Sequence, residues 1–290
     1  MTIPRSRFAI LFAVPSDIRT RGRIVAPGSA AWDRHFPELQ FMGEIEGVAF
    51  SQVPAGIERW QAMIRWIHAH AATVDGVVIV HDRELLIPGA VVLDLACASL
   101  PCPMIITVPS PQSPHDWRTN VVVALQSAVV AVPGPIVVDG NRIVRAGTVT
   151  WEMPHVIGGG SAARLDFGVR RIPQRRSGEA TITDALTTEL TVIEMTPGFA
   201  LPPVPSRAIN ILIRVSPTPD WSALERWSKR LPKHSRVMVQ TTVRLPAALR
   251  EWAQLPTTED DVAVVQAAWI FGQGSRWKRS IKMAVERRRL

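Results

Sequence analysis

Short runs of β-branched and other apolar residues alternate with longer helical segments through the first half of this chain. Residues 77–80 and 104–108 are almost continuously apolar, which is typical of strands buried on both faces of a parallel sheet. Between residues 57 and 72, by contrast, the apolar positions recur at the spacing of an amphipathic helix. Strands alternating with helices of this length predict βαβ units, and therefore an α/β fold with a doubly wound sheet.

The same pattern, followed along all 290 residues, predicts two α/β domains. The larger spans 1–169, a linker covers 170–188, and a smaller domain with a basic tail covers 189–290. In the larger domain the predicted strands are 7–14, 48–50, 77–80, 104–108 and 135–138, and the predicted helices are 57–72, 88–99 and 117–131. In the smaller domain the predicted strands are 190–195, 209–214 and 236–240, and the predicted helices are 220–230, 246–253 and 257–271, with an extension to 290.

The net charge of +8 is concentrated at the end of the chain. Residues 275–290 hold seven arginines and lysines against Glu286 alone, a net +6. Cations near the carboxyl end of a helix suit its dipole, so a solvated helix face is the plain interpretation. A tail that binds RNA or an anionic surface is the alternative, although the sequence as a whole disfavours a nucleic-acid partner.

Composition and short motifs exclude several classes of protein. Two cysteines exclude a disulfide framework and a Cys-rich zinc module, and no apolar run is long enough for a membrane span. The apolar run 8–14 follows two arginines, as in a signal peptide, but it is short and lacks a cleavage pattern. A cytoplasmic protein is therefore expected. No phosphate-binding, dinucleotide-binding or metalloprotease motif occurs, so we expect no cofactor and no metal.

Polar side chains cluster where the predicted strand 77–80 ends. His81, Asp82, Arg83 and Glu84 follow one another there, which is more polar character than a turn requires. In doubly wound sheets, ligands bind beyond the carboxyl ends of the strands. We therefore expect the ends of strands 7–14, 48–50 and 77–80 to converge on one cleft.

Four segments resemble motifs of the L-asparaginase family. Residues 75–86, Asp-Gly-Val-Val-Ile-Val-His-Asp-Arg-Glu-Leu-Leu, resemble that family's D-G-x-V-I-x-H-G-T-D-T-M signature. Residues 109–120 resemble its R-P-x-x-S-x-S-x-D-G-x-x-N segment, and residues 50–52 are similar to its short substrate loop. Residues 256–259, followed by an apolar helix, resemble its carboxyl-terminal M-T-x-E-A-A helix. The order and spacing agree from about residue 7 to residue 274.

This resemblance implies an asparaginase-like two-domain fold and an amidohydrolase that converts L-asparagine, or a related side-chain amide, to the acid and ammonia. It implies Ser16 as the nucleophile, with Arg83 and Glu84 at the positions of the family's second threonine and aspartate. It implies Ser51, Gln52 and Glu84 as substrate-binding residues. It also implies a homo-oligomer, either a dimer or a tetramer.

The sequence departs from the family at several catalytic positions. Arg83 removes the second hydroxyl, Ala146 stands where the lysine is expected, and the chain has no tyrosine. Arginine stays protonated near neutral pH, so it cannot replace a lysine that accepts a proton. We expect Arg83 to pair with Glu84, because a buried cation needs an anion.

Three functions follow from this combination. The first is an amidohydrolase with reduced activity. The second is a catalytically inactive protein of the same fold that binds an amino acid or a protein partner. The third is an RNA-linked amidotransferase that uses the basic tail.

Overall fold

The structure, a computed structural model, describes residues 6–14, 19–20, 23–24, 34, 36–97, 99–109, 118–130, 134–153, 156–160, 163–165, 169–171, 185–195, 201–204, 210–215, 219–241, 243–255 and 260–289. The chain forms two compact units, Met1–Asp184 with Leu290 and Ala185–Arg289. Most of the predicted linker 170–188 lies outside the described residues, so the predicted domain boundaries stay a prediction.

The larger unit contains a six-stranded sheet in the order β4-β1-β5-β6-β7-β8. The strands of this sheet are β1 (Arg7–Phe12), β4 (Glu44–Ala49), β5 (Gly76–Val80), β6 (Met104–Thr107), β7 (Pro135–Asp139) and β8 (Arg142–Arg145). Shorter strands form separate two-stranded pairs: β2 (Arg19–Thr20) with β3 (Arg23–Ile24), β9 (Thr150–Met153) with β10 (Val156–Gly158), and β11 (Ala163–Leu165) with β12 (Val169–Arg171). Strands β4, β1, β5, β6 and β7 are mutually parallel, and only the edge strand β8 is antiparallel to its neighbour.

Among the described residues, this sheet is accompanied by the α-helices α1 (Ile57–His70), α2 (Leu86–Ala96) and α3 (Arg118–Val129). Alternate strand residues such as Ile10, Val78 and Ile105 pack with Leu125 of α3 in one core cluster. Their neighbours Leu11 and Ile79 are also fully buried. Both faces of the sheet are therefore covered, as the continuous apolar runs predicted.

The smaller unit has a four-stranded parallel sheet in the order β13-β14-β15-β16. Its elements are β13 (Thr191–Met195), β14 (Asn210–Val215), α4 (Trp221–Ser228), β15 (Arg236–Gln240), β16 (Ala253–Leu255), α5 (Asp260–Gly272) and α6 (Trp277–Arg289). Its core is built around Trp227, Leu224 and Ile213. Asp220 caps α4, since its carboxylate accepts a hydrogen bond from the Ala223 amide at 2.9 Å.

One predicted helix of the smaller unit is wrong. Residues 246–253 form a single 3₁₀ turn, Ala247–Leu249, and the chain then enters strand β16. The predicted extension of the last helix to 290 is a separate helix, α6. Gly274, between α5 and α6, has a φ of 59° in the left-handed region, which ends the preceding helical segment.

Candidate active site at the carboxyl edge of the larger sheet

The carboxyl ends of neighbouring strands in the larger sheet are joined by backbone hydrogen bonds. The Phe50 amide donates to the Phe12 carbonyl at 2.8 Å, and the Ala13 amide donates to the Val80 carbonyl at 2.9 Å. The His81 amide continues the series to the Thr107 carbonyl at 2.8 Å. The ends of β4, β1 and β5 therefore lie together at one edge of the sheet, and the cleft expected there stays a prediction.

Arg59 of helix α1 ties the segments that follow these strands together. Its Nη1 donates to the Asp82 carboxylate at 2.8 Å and to the Ala13 carbonyl. Its Nε and Nη2 donate to the Val53 carbonyl at 2.9 and 2.8 Å. One guanidinium thus connects the ends of β4, β1 and β5. Sequence reasoning missed this residue, because an arginine on an amphipathic helix is ordinarily assigned to the solvated face.

Arg83 makes a second buried cross-link at the same edge. Its Nη1 and Nη2 donate to the two carboxylate oxygens of Asp139, each at 2.9 Å. Its Nε and Nη2 donate to the Pro109 carbonyl at 3.2 and 2.6 Å. The guanidinium therefore joins the ends of β5, β6 and β7, in the bidentate geometry that a carboxylate favours.

The predicted pair between Arg83 and Glu84 is wrong. Glu84 is exposed, whereas Asp139 is only 12% exposed in its side chain. An exposed carboxylate keeps its hydration, while a buried carboxylate and a buried guanidinium each need the other. Arg83 does pair with an anion, as a buried cation requires, but the anion comes from the end of β7.

Asn120 completes the surroundings of Asp139. Its Nδ2 donates to the Val108 carbonyl at 2.8 Å and to Asp139 at 3.3 Å, and its Oδ1 accepts from the Gly140 amide at 3.0 Å. The residue is buried. An asparagine that the resemblance retains thus holds strand ends together in this chain.

His81 is a buried, neutral imidazole in the same region. Trp60 has only a donor to offer, so its Nε1–H donates to His81 Nε2 at 2.8 Å. The Nδ1 of His81 then carries the proton and donates to the Asp82 carbonyl at 2.9 Å. Desolvation by burial lowers the pKa of His81, and the positive charge of Arg59 adds to this effect, while the hydrogen bond to Asp82 and its charge oppose it.

The predicted site residues fall into three groups. Ser16 lies outside the described residues. Ser51 is half-buried and Gln52 and Glu84 are exposed, and none of these three side chains has a hydrogen bond or an ion pair within the described part of the chain. Arg83 is engaged as above. The catalytic and binding assignments of these five residues stay predictions.

The position where the resemblance expects a lysine is closed. Ala146 is fully buried, at the start of a 3₁₀ turn, Ala146–Thr148, that follows β8. Elsewhere in the described part, no group of three or more His, Cys, Asp or Glu side chains is placed to hold a metal ion. No helix among the described residues has the length and apolar character to cross a membrane.

Comparison with known proteins gives one family match and several structural matches. Residues 23–153 match the family model described as asparaginase, N-terminal. A search of curated protein sequences gave no significant match.

The fold is similar to that of solved L-asparaginases. L-asparaginase I from Vibrio cholerae has a TM-score of 0.69 and 16% sequence identity, with 97% of each chain covered. A probable cytoplasmic L-asparaginase from Campylobacter jejuni has a TM-score of 0.71 and 16% identity, covering 97% of this chain and 99% of that one. The thermostable L-asparaginase from Thermococcus kodakarensis has a TM-score of 0.67 and 17% identity, with 96% of each chain covered. The resemblance to the L-asparaginase family is therefore confirmed: residues 23–153 match its N-terminal domain, and the chain as a whole has the two-domain α/β fold of the L-asparaginases.

Proposed function

We propose that this chain is an asparaginase-like amidohydrolase with strongly reduced activity. Its substrate is L-asparagine or a related side-chain amide, which it converts slowly to the acid and ammonia. The family match of residues 23–153 and the asparaginase fold support the substrate class. By the same resemblance we propose a cytoplasmic homo-oligomer, a dimer or a tetramer, that needs no cofactor.

The buried Arg83–Asp139 pair is the main support for the proposal that activity is reduced. Nucleophilic attack on an amide needs a hydroxyl, a base that takes its proton, and a group that returns a proton to the leaving ammonia. Arg83 occupies a position where the resemblance expects a second hydroxyl, and its guanidinium is bound by Asp139 and Pro109. A permanently charged and fully engaged guanidinium cannot accept a proton.

The lysine and the tyrosine that the family uses are also absent from the sequence of the larger unit. The chain has no tyrosine, and its first lysine is Lys229, which lies in the smaller unit. General acid–base assistance is typically worth about 10²–10⁴-fold in rate. We therefore expect hydrolysis slower by at least about that factor than in an enzyme with a complete set of groups.

The residues proposed to bind substrate are, in contrast, available. Ser51, Gln52 and Glu84 have no side-chain partner in the described part of the chain. They follow β4 and β5, the two strands on either side of β1, and strand spacing puts those ends about 10 Å apart. That separation suits a small amino acid. Its α-ammonium would approach the Glu84 carboxylate, and its α-carboxylate would accept hydrogen bonds from Ser51 and Gln52.

A catalytically inactive protein of the same fold is the second candidate. The same Arg83–Asp139 pair favours it, because loss of groups that act together removes most of the rate. In that case the free Ser51, Gln52 and Glu84 would bind an amino acid or a protein partner without turnover.

The test combines calorimetric binding of asparagine and glutamine with ammonia release on the same preparation. We expect binding that weakens in Glu84→Gln and slow release that disappears in Ser16→Ala. Glu46→Gln is the matched control, since Glu46 is an exposed glutamate within β4, away from the carboxyl edge. Binding without any release would select the inactive candidate. Absence of both binding and release would contradict the amidohydrolase and the amino-acid-binding form of the second candidate. Rapid turnover that depends on Ser16 would contradict the proposed reduction.

A further inference from the structure

Positive charge is distributed unevenly between the two units. Residues 1–184 contain 17 basic and 16 acidic side chains, a net +1, whereas residues 185–290 contain 16 basic and 9 acidic side chains, a net +7. The basic tail accounts for most of this excess. The net charge of the tail alone does not define a binding surface. A surface requires that other cations lie close to the tail in the fold.

Two groups of exposed cations are distant in sequence within the smaller unit. The loop cluster lies at the end of α4 and in the turn before β15, and it consists of Arg226, Lys229, Arg230, Lys233 and His234. The helix cluster lies at the start of α6 and consists of Arg276, Lys278, Arg279 and Lys282. Apart from Lys282, none of the arginines and lysines of these clusters has an ion pair with a carboxylate in the described part of the chain.

Arg236 brings the two clusters together. It is the first residue of β15 and follows the loop cluster by two residues. Its Nη1 donates to the carbonyls of Phe271 and Gly274 at 3.1 and 3.2 Å, and Gly274 precedes the helix cluster by two residues. Both clusters therefore flank the start of β15, at the amino-terminal edge of the smaller sheet.

Aromatic rings lie between the clusters. The rings of Phe271 and Trp277 are 5.3 Å apart between centroids, and the Arg236 guanidinium carbon lies 6.0 Å from the Phe271 centroid. Lys278 Nζ lies 5.7 Å from the centroid of the half-buried Trp277. Phe271 is buried, so its ring holds Arg236 in place and only Trp277 can contact a ligand. Cations beside an accessible aromatic ring suit a polyanion that also presents flat groups.

We propose that the loop cluster and the helix cluster form one binding surface for the phosphate backbone of a nucleic acid. Guanidinium groups match phosphate oxygens in a bidentate geometry, and closely spaced cations release the counterions of a polyanion. The surface is a property of the smaller unit and does not depend on the proposed amidohydrolase function.

An anionic membrane is a poorer match for this surface. Proteins that lie on a membrane insert large apolar side chains beside their cations. The exposed large apolar residues of the described part are Phe41, Val129, Val130, Val192 and Val243, and none of them belongs to either cluster. Cations without an exposed apolar anchor therefore favour a nucleic acid over a membrane surface.

The test is fluorescence anisotropy of the full chain with labelled single-stranded RNA and DNA of mixed sequence, about 20 nucleotides long, which exceeds a typical single-strand site. We expect binding at about 50 mM salt that weakens steeply as salt rises. Lys229→Gln/Arg230→Gln in the loop cluster, and Lys278→Gln/Arg279→Gln in the helix cluster, should each lower affinity about tenfold. Each should also reduce the slope of log K against log salt by about 1.4, the value for two lost phosphate contacts on a single strand.

Arg244→Gln/Arg250→Gln is the matched control. Both arginines are exposed and belong to the same unit, but they follow β15 instead of preceding it, so the change in net charge is equal and the position differs. We expect the control to bind as the parent chain does. Comparison of the affinities for RNA and for DNA shows which of the two nucleic acids the surface prefers. No binding at low salt, equal losses in cluster and control variants, or tighter binding to phosphatidylserine vesicles than to either nucleic acid would overturn the proposal.

Discussion

Two arginines cross-link the strand ends at the carboxyl edge of the larger sheet, and their side chains are only 11% and 10% exposed. Arg59 joins the ends of β4, β1 and β5, and Arg83 joins the ends of β5, β6 and β7. Each guanidinium is satisfied by one carboxylate and by backbone carbonyls. Such an edge can therefore hold cations without loss of the fold, provided that each cation has a carboxylate partner.

A double-mutant cycle on Arg83 and Asp139 tests this stabilising role. Arg83→Met leaves the Asp139 carboxylate buried without its cation, and we expect a loss of about 3–5 kcal/mol in the free energy of unfolding. Asp139→Asn should cost a comparable amount, and the double variant should cost clearly less than the sum. Urea unfolding measures all three.

The exposed pair Arg7–Glu44 is the control for this cycle. Its side chains are 56% and 66% exposed and its closest approach is 3.9 Å, so Arg7→Met should cost less than about 1 kcal/mol. If Arg83→Met costs no more than Arg7→Met, the buried pair does not stabilise the sheet edge as argued.

At this residue scale the sequence predicts the need for a partner but not its identity. Residues 77–80 are predicted to be a buried strand, and Arg83 follows its end closely, so the sequence already implies that the guanidinium needs an anion. Its partner lies 56 residues further along the chain, and only the order of strands in the sheet brings β7 close to β5. Glu84, adjacent in sequence, is excluded because it faces solvent. Local patterns carry no information about such a tertiary choice.

Uniformly apolar strands are predicted well from the sequence, whereas a short helical segment is not. The apolar runs of β5, β6 and β7 predict these strands to within one or two residues, since short, uniformly apolar runs of β-branched residues are typical of strands covered on both faces. Residues 246–253 are predicted as a helix, but they form only one 3₁₀ turn, in which Leu249 is buried. The chain then becomes a strand, because Ala253 and Leu255 pair with β15. Tertiary pairing overrides propensity where the segment is this short.

Helix α2 approaches the His81–Trp60 pair through a glycine, and this contact gives a prediction at the scale of packed elements. A Cβ at position 89 would lie 2.4 Å from His81 Nε2 and 2.9 Å from Trp60 Nε1. Alanine favours a helix by about 1 kcal/mol over glycine. The clash should outweigh this gain, because both rings are buried and bonded to each other.

We therefore expect Gly89→Ala to lower the free energy of unfolding by about 1–3 kcal/mol, the usual cost of overpacking a core. Thermal or urea unfolding of the full chain measures this loss. In a background of His81→Ala, which removes the closer of the two contacts and leaves the one with Trp60, the same glycine substitution should cost clearly less. A destabilisation of equal size in both backgrounds would mean that the contact with His81 is not the cause.

At the scale of the whole molecule, the two units differ in what their charge does. The larger unit is almost neutral overall, and its described charges include the half-buried pair Arg59–Asp82 and the more deeply buried pair Arg83–Asp139. The smaller unit carries most of the net charge and places it on its surface. Charge therefore contributes to the stability of the sheet edge in the larger unit and, by our proposal, to binding in the smaller one.

Stability of the whole chain should depend on pH through His81. Burial lowers the pKa of this imidazole in the folded state, while in the unfolded chain the pKa is about 6.5. Above about pH 6.5 both states hold a neutral ring and stability is complete. As pH falls below that value the unfolded state binds more protons, so the free energy of unfolding decreases by up to about 1.4 kcal/mol per pH unit until the folded-state pKa is reached. Urea unfolding between about pH 5 and 7 measures the slope of the free energy of unfolding against pH, in a range above the ordinary pKa of carboxylates.

His81→Gln keeps an acceptor for Trp60 but does not titrate, so the part of the slope that comes from His81 should disappear. His68→Gln removes an exposed imidazole of α1 and should leave it unchanged. Equal slopes in the parent chain and in His81→Gln would show that the buried imidazole does not link protonation to folding.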